Sequence, residues 1–164
     1  VERSRGLGDV YKRQLQECPK NNCHFDFERR NLILDDRNEV NVIDFQDMCI
    51  APIGIDIAGI LLDHYMSFDR STIKEDLKYF LDHSDISLSE DDLFEFFRWS
   101  GIQRNMRILG TLANLYCDEG RDFRLKDLPN ILSNLTFLIP DKHNSKSFFE
   151  DKVKNKLNER LAAL

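Results

Sequence analysis

The sequence predicts an α+β fold that is mostly helical, with one β-hairpin near its start and a helical body after it. Three observations support this. Two short apolar runs, "NLILDD" and "VNVIDF", flank the polar residues 37–39. From residue 53 onward the apolar residues recur at helical rather than alternating spacing. The 164 residues, 41% of them apolar, are enough for one domain with a real core.

The elements follow in order. β-forming residues on either side of turn-forming ones place a hairpin over about 31 to 45. "IGIDIAGILLDHY" carries Ile55, Ala58, Leu61, Leu62 and Tyr65 on one helical face, which predicts a helix near 54 to 66. Ser71 with Glu75 resembles a capping box and opens an amphipathic helix reaching about His83. Ser89 heads the longest helical signal, with acids in its first turn and Gly120 at its C-cap position. Leu93, Phe97, Ile102, Met106, Leu109, Leu112 and Tyr116 share its apolar face, while Gly101 and Gly110 predict a kink or a split near Gly101. Asp127 caps a helix with Pro129 in its first turn, running to about Leu138 before Pro140 ends it. "SFFEDKVKNKLNERLAAL" reads as a last helix.

Composition excludes some functions. Twenty-nine acidic against 23 basic residues give a net charge of -6, which argues against nucleic acid or an anionic membrane as the main partner. Cys18, Cys23, Cys49 and Cys117 show neither a C-x-x-C pair nor a zinc-type His spacing, so they read as reduced thiols of a cytoplasmic protein. No apolar run is long enough for a membrane span, and no signal-peptide pattern opens the chain. The head, "VERSRGLGDVYKRQ", holds no helical or strand period. Its end, "DVYKRQ", resembles a translated transposon end of a sequencing adapter. Residues 1–14 are therefore expected to be a non-native, adapter-like head, and "RGLGD" within it has too little context to be a phosphate loop.

The chemistry sits at "HFDFERRNLILDD". His24, Asp26 and Asn31 form H-x-D-x-x-x-x-N, followed across the hairpin by Asp44-Phe45-Gln46. Any one of these residues alone reads as a turn or cap residue. Their joint order on a loop, a hairpin and a second loop resembles the catalytic and metal loops of protein kinases. Phosphoryl transfer needs a carboxylate beside the acceptor hydroxyl, the place of Asp26. Magnesium prefers oxygen ligands, which suits the amide of Asn31 and the carboxylate of Asp44.

The longer pattern "HFDFERRNLIL…VIDFQDMCIAPIGIDIAGILLD" resembles the aminoglycoside phosphotransferase/kinase-like superfamily. That resemblance implies the C-terminal lobe of a protein-kinase-like fold over residues 15–164, with ATP and Mg2+ as cofactors, a small-molecule acceptor, and neither nucleic acid nor membrane as partner. It also implies that Asp56, in the G-x-x-x-D-x-A segment, hydrogen-bonds the catalytic loop, with His24 supporting it. "GIQRNMRILGTLANL" resembles the branch of bacterial anomeric kinases acting on N-acetylmuramate and N-acetylglucosamine in cell-wall recycling. Phe25 and Glu28 depart from that branch, where Arg and His are frequent, which bears on substrate more than on reaction type. Arg30, Gln103 and Arg104 are candidate substrate-facing groups, able to read a phosphate, an acetamido group or a carboxylate. Kinases of this architecture also need a smaller lobe with a Lys-bearing strand and a phosphate-covering loop. No segment before Leu15 offers these, so the chain is expected to hold the metal and acceptor half alone and to be catalytically poor. An aminoglycoside kinase, an inactive kinase-like binding module and an unrelated helical interaction protein stand as alternatives.

Overall fold

The structure, a computed structural model, describes residues 13–65 and 69–162. The adapter-like head thus lies outside the described residues except for its last two positions. After a helical stretch over residues 13–17 come four short strands: β1 (Lys20–Cys23), β2 (Leu32–Leu34), β3 (Val40–Val42) and β4 (Cys49–Pro52). Helices α1 (Gly54–Leu61), α2 (Ile73–Asp82), α3 (Glu90–Glu119) and α4 (Leu128–Leu138) follow. The C-terminal segment passes through a short turn at Ser145–Ser147 and a π-helical section, Phe148–Val153, into α5 (Lys154–Leu161). The mostly helical α+β class predicted from the sequence is what the described residues show.

The predicted hairpin is present: β2 and β3 pair antiparallel, with Leu32 opposite Val42 and Leu34 opposite Val40. Asp35 closes its turn by accepting the backbone N–H groups of Arg37 and Glu39, each at 2.9 Å. A second antiparallel ladder, β1 with β4, was not predicted, because "KNNC" has no apolar alternation to announce a strand. It brackets the hairpin. Since Cys23 faces Cys49 at its end, residues 24–31 and 43–48 leave it side by side.

Helix α1 lies on α3, and α3 on α4, through Ile57, Ala58 and Leu62, then Phe97 and Ile102, then Leu132, Leu135 and Leu138. Full burial of such side chains contributes roughly 1.5–3 kcal/mol each. Leu112, Leu128 and Ile131 form a smaller second cluster under the far half of α3.

Several boundaries differ from the sequence reading. Helix α1 stops at Leu61 rather than 66, because the Asp63 carboxylate accepts the Tyr65 N–H at 2.9 Å and this local turn competes with another helical turn. The capping box at Ser71 does not form. Ser71 donates to Asp69 at 2.7 Å, Thr72 takes the N-cap position, and its hydroxyl goes to the Asp69 carbonyl and to Asp76. Helix α3 is unbroken through Gly101, where Leu62 and Leu138 pack against the bare Cα. Its ends match the sequence: Ser89 accepts the Asp92 N–H at 3.1 Å, and Gly120 is left-handed at φ 65°. The Asp127 side chain does not cap α4 but takes Arg124 Nε at 2.8 Å.

Candidate active site

The loop after β1 is held from three sides. Asp56, in the first turn of α1, accepts the His24 N–H at 2.6 Å on one carboxylate oxygen and the Phe25 N–H at 2.9 Å on the other. Phe25 needs this support. Its φ of 71° is left-handed, which costs a non-glycine residue about 1–2 kcal/mol. The buried His24 donates from Nε2 to the Ile43 carbonyl at 2.9 Å, tying the loop to the end of β3. The Ile43 N–H in turn donates to the Asn31 carbonyl at 3.0 Å. The ends of the two loops are thereby locked to one another.

Asn31 is buried and donates from Nδ2 to the Asp26 carbonyl at 2.8 Å, which leaves its amide oxygen as an acceptor. Asp44 is exposed and left-handed at φ 64°, and one of its oxygens accepts Gln46 Nε2 at 2.8 Å. Hydrogen bonds thus tie His24 to Asp56 and Ile43, and Asn31 to Asp26 and Ile43, while Asp44 follows Ile43 in the chain with its side chain on Gln46.

Asp26 is not an isolated carboxylate. Arg30 Nη2 lies 2.7 Å from its Oδ2, and Arg30 Nε lies 2.9 Å from Glu28. Glu28, itself buried, meets Arg104 of α3, also buried. Burial pushes the Asp26 carboxyl up, but the hydrogen bond and charge of Arg30 outweigh it and hold the group below its ordinary value. Burial pushes Glu28 up against the pull of Arg104.

Arg104 was expected to face the substrate. It is 2% exposed and spent on Glu28, so it supports the loop from within. Gln103 is half-buried on α3 and does not line the groove beside Asp26. Arg30 does line it, between two carboxylates.

That groove, about 260 Å³, opens between the loop and α3. Its polar walls are Asp26, Glu28, Arg30 and three groups the sequence reading missed: His64, Arg107 and Arg124. Tyr65, Ile108, Leu112 and Leu115 supply apolar surface. Arg107 had one available signal, its position one helical turn beyond Arg104. His64 and Arg124 had none, because turns and tertiary contacts place them.

The chain belongs to the phosphotransferase enzyme family, whose sequence model matches residues 6–87. Among its relatives is the N-acetylmuramate/N-acetylglucosamine kinase of Neisseria meningitidis serogroup B, 29% identical over 122 residues, which are 71% of this chain and 36% of the relative. The kinase of the same name from Pseudomonas aeruginosa is 28% identical over 140 residues, 82% of this chain and 41% of the relative. That of Pseudomonas putida is 26% identical over 126 residues, 74% and 37%. The chain thus spans 36% to 41% of the length of these curated relatives. No helix among the described residues is long and apolar enough to cross a membrane.

Proposed function

We propose that this chain carries the acceptor and metal side of an ATP-dependent kinase that phosphorylates a hydroxyl of an amino sugar, N-acetylmuramate or N-acetylglucosamine. The observation that carries the reading is the unit in which Asp26, Asn31 and Asp44 are fixed across the hairpin. Asn31 is bonded to Asp26 at 2.8 Å, and Ile43, the neighbour of Asp44, is bonded to Asn31 and His24. A binding module has no physical need for such an arrangement.

In this reading Asp26 accepts the hydrogen bond of the acceptor hydroxyl and aims its oxygen at the phosphoryl group. Because Arg30 holds Asp26 below the ordinary carboxylate range, Asp26 is a weak base. It orients the hydroxyl early and takes the proton late, which suits a transition state with little bond formation to the nucleophile. The free oxygens of Asn31 and Asp44 fit a hard cation. Among the described residues no cluster of three or more His, Cys, Asp or Glu side chains is present to cage one, and Mg2+ commonly takes one or two protein ligands with phosphates and water. Bound there, Mg2+ neutralises charge on the transferring phosphates. His24 and Asp56 hold the loop, and Asp44 is presented by its left-handed turn.

We place the nucleotide-side half in the remainder of the protein. The relatives are more than twice as long as the segment matched, and the hairpin and the turn after it expose Ile33, Leu34, Val40, Phe45 and Met48. A cationic aminoglycoside fits the acceptor side poorly, because three arginines line the groove.

The test is ³¹P NMR of the full-length protein with Mg-ATP and either sugar. Formation of a sugar phosphate is expected, with a loss of about 10²–10⁴-fold in kcat on Asp26→Ala, and loss of product on Asp44→Ala. Absence of a sugar phosphate, or unchanged turnover in both variants, refutes the assignment.

A further inference from the structure

We infer that the arginine-lined groove beside Asp26 is a carboxylate receptor, so that the acceptor is an acidic sugar gripped by its acid group. This rests on the sugar-kinase reading above and specifies which chemical feature of the acceptor the chain selects. Both carboxylates of the groove are already matched: Asp26 by Arg30, and Glu28 by Arg30 and Arg104. Two further guanidinium groups line the groove, Arg107 without an ion pair among the described residues and Arg124 paired with Asp127 outside the groove lining.

Arg107 is exposed, lies over the Phe25 ring at 4.9 Å, and makes no ion pair among the described residues. Stacking on a ring leaves the edge of a guanidinium free to donate, the geometry that pairs with a carboxylate through two parallel hydrogen bonds. Arg124 is anchored rather than free. Its Nε donates to Asp127 at 2.8 Å, its guanidinium lies 5.0 Å from the centre of the Tyr65 ring, and its Nη2 donates to His64 Nε2 at 2.7 Å. Arg30 approaches the same tyrosine at 5.9 Å.

His64 adds an independent sign. An imidazole nitrogen that accepts from arginine carries no proton, so the ring proton sits on Nδ1. That Nδ1 is buried and has no partner, on a residue 3% exposed that lines the groove. The wall that carries Arg124 thus holds a donor with no protein acceptor among the described residues. Ile108, Leu112 and Leu115 give the apolar surface against which the carbon skeleton of a sugar packs.

The two sugars in the relatives' names test this directly. N-acetylmuramate is N-acetylglucosamine bearing one lactyl ether, and the pair therefore differs by a carboxylate. Calorimetric titration of the 164-residue chain at low salt is expected to show the acidic sugar binding at least about tenfold more tightly, the scale of one charge-assisted hydrogen bond. Arg107→Gln, at an exposed position that tolerates substitution, should lower affinity for the acidic sugar by about tenfold more than for the neutral one. Arg124→Gln should act in the same sense, with circular dichroism confirming the fold. Equal affinity for the two sugars, or equal weakening by both variants, overturns the receptor while leaving the kinase reading intact. Binding of neither sugar overturns both.

Discussion

Asp56 offers the sharpest test of how the site is held. Its two carboxylate oxygens take the backbone N–H groups of His24 and Phe25 at 2.6 and 2.9 Å, and Phe25 is kept left-handed at φ 71°. Hydrogen bonds to a charged group contribute about 1.5–3 kcal/mol each, so their joint removal costs about 3–6 kcal/mol. Release of the loop returns the strain of Phe25, about 1–2 kcal/mol. Asp56→Ala should therefore lower the unfolding free energy by about 1–5 kcal/mol in urea titrations, by the difference of these terms. Asp56→Asn, with a single acceptor oxygen, should cost about half as much. Native-state hydrogen exchange locates the effect: protection of the His24 and Phe25 amides should fall further than that of the α3 core. A loss below about 1 kcal/mol, with those two amides still protected, would show that the loop is held by something other than Asp56.

Other consequences are equally direct. Arg104→Met strands the buried Glu28 with Arg30 alone and should destabilise by about 3–5 kcal/mol, and adding Glu28→Gln should recover more than half of that in the same denaturation assay. His64 is pushed down to about 4, first by burial and then by the charges of Arg104 and Arg124, against the pull of Asp63 and Asp127. The unfolded chain thus takes up a proton below about pH 6.5 that the folded chain refuses until about pH 4. Stability from this group is complete above pH 6.5 and drains away as pH falls through that window; His64→Gln should flatten that part of the profile. Gly59→Ala would drive a methyl group into the Phe27 carbonyl and should cost about 1–3 kcal/mol by thermal melting. Gly110→Ala, with open space around it, should instead stabilise by roughly 0.5–1 kcal/mol.

What was legible in the sequence was local. Asp26, Asn31 and Asp44 are spaced by a loop and a hairpin whose turn residues declare themselves, and the ends of α3 follow from Ser89 and Gly120. What was not legible depends on partners distant in sequence. Strand β1 is a strand only because β4 lies beside it. The inward course of Arg104 was not legible because Glu28, which draws it inward, is 76 positions away. The end of α1 turned on one Asp63 hydrogen bond, too slight to outweigh the apolar period of "ILLDHY". The glycine in the middle of α3 suggested a break, whereas tight packing against Leu62 and Leu138 had excluded a side chain there.

The nesting of the hairpin inside the β1–β4 ladder also bears on assembly. The Cys23 thiol donates to the Ala51 carbonyl at 3.3 Å across only 28 positions, so closing one short excursion of the chain gathers Asp26, Asn31 and Asp44. Such short-range closure has a low entropic cost, and β-hairpins form in about 1–10 μs. The walls of the acceptor groove arrive otherwise, when α3 brings Arg107 and the following loop brings Arg124. The part proposed to handle the phosphoryl group is thus a local object, and the groove proposed to read the acceptor a product of long-range docking. On the proposed reading, substitution of Arg107 is expected to change acceptor preference while leaving the Asp26–Asn31 loop in place, whereas substitution of Arg104 on the same helix loosens that loop.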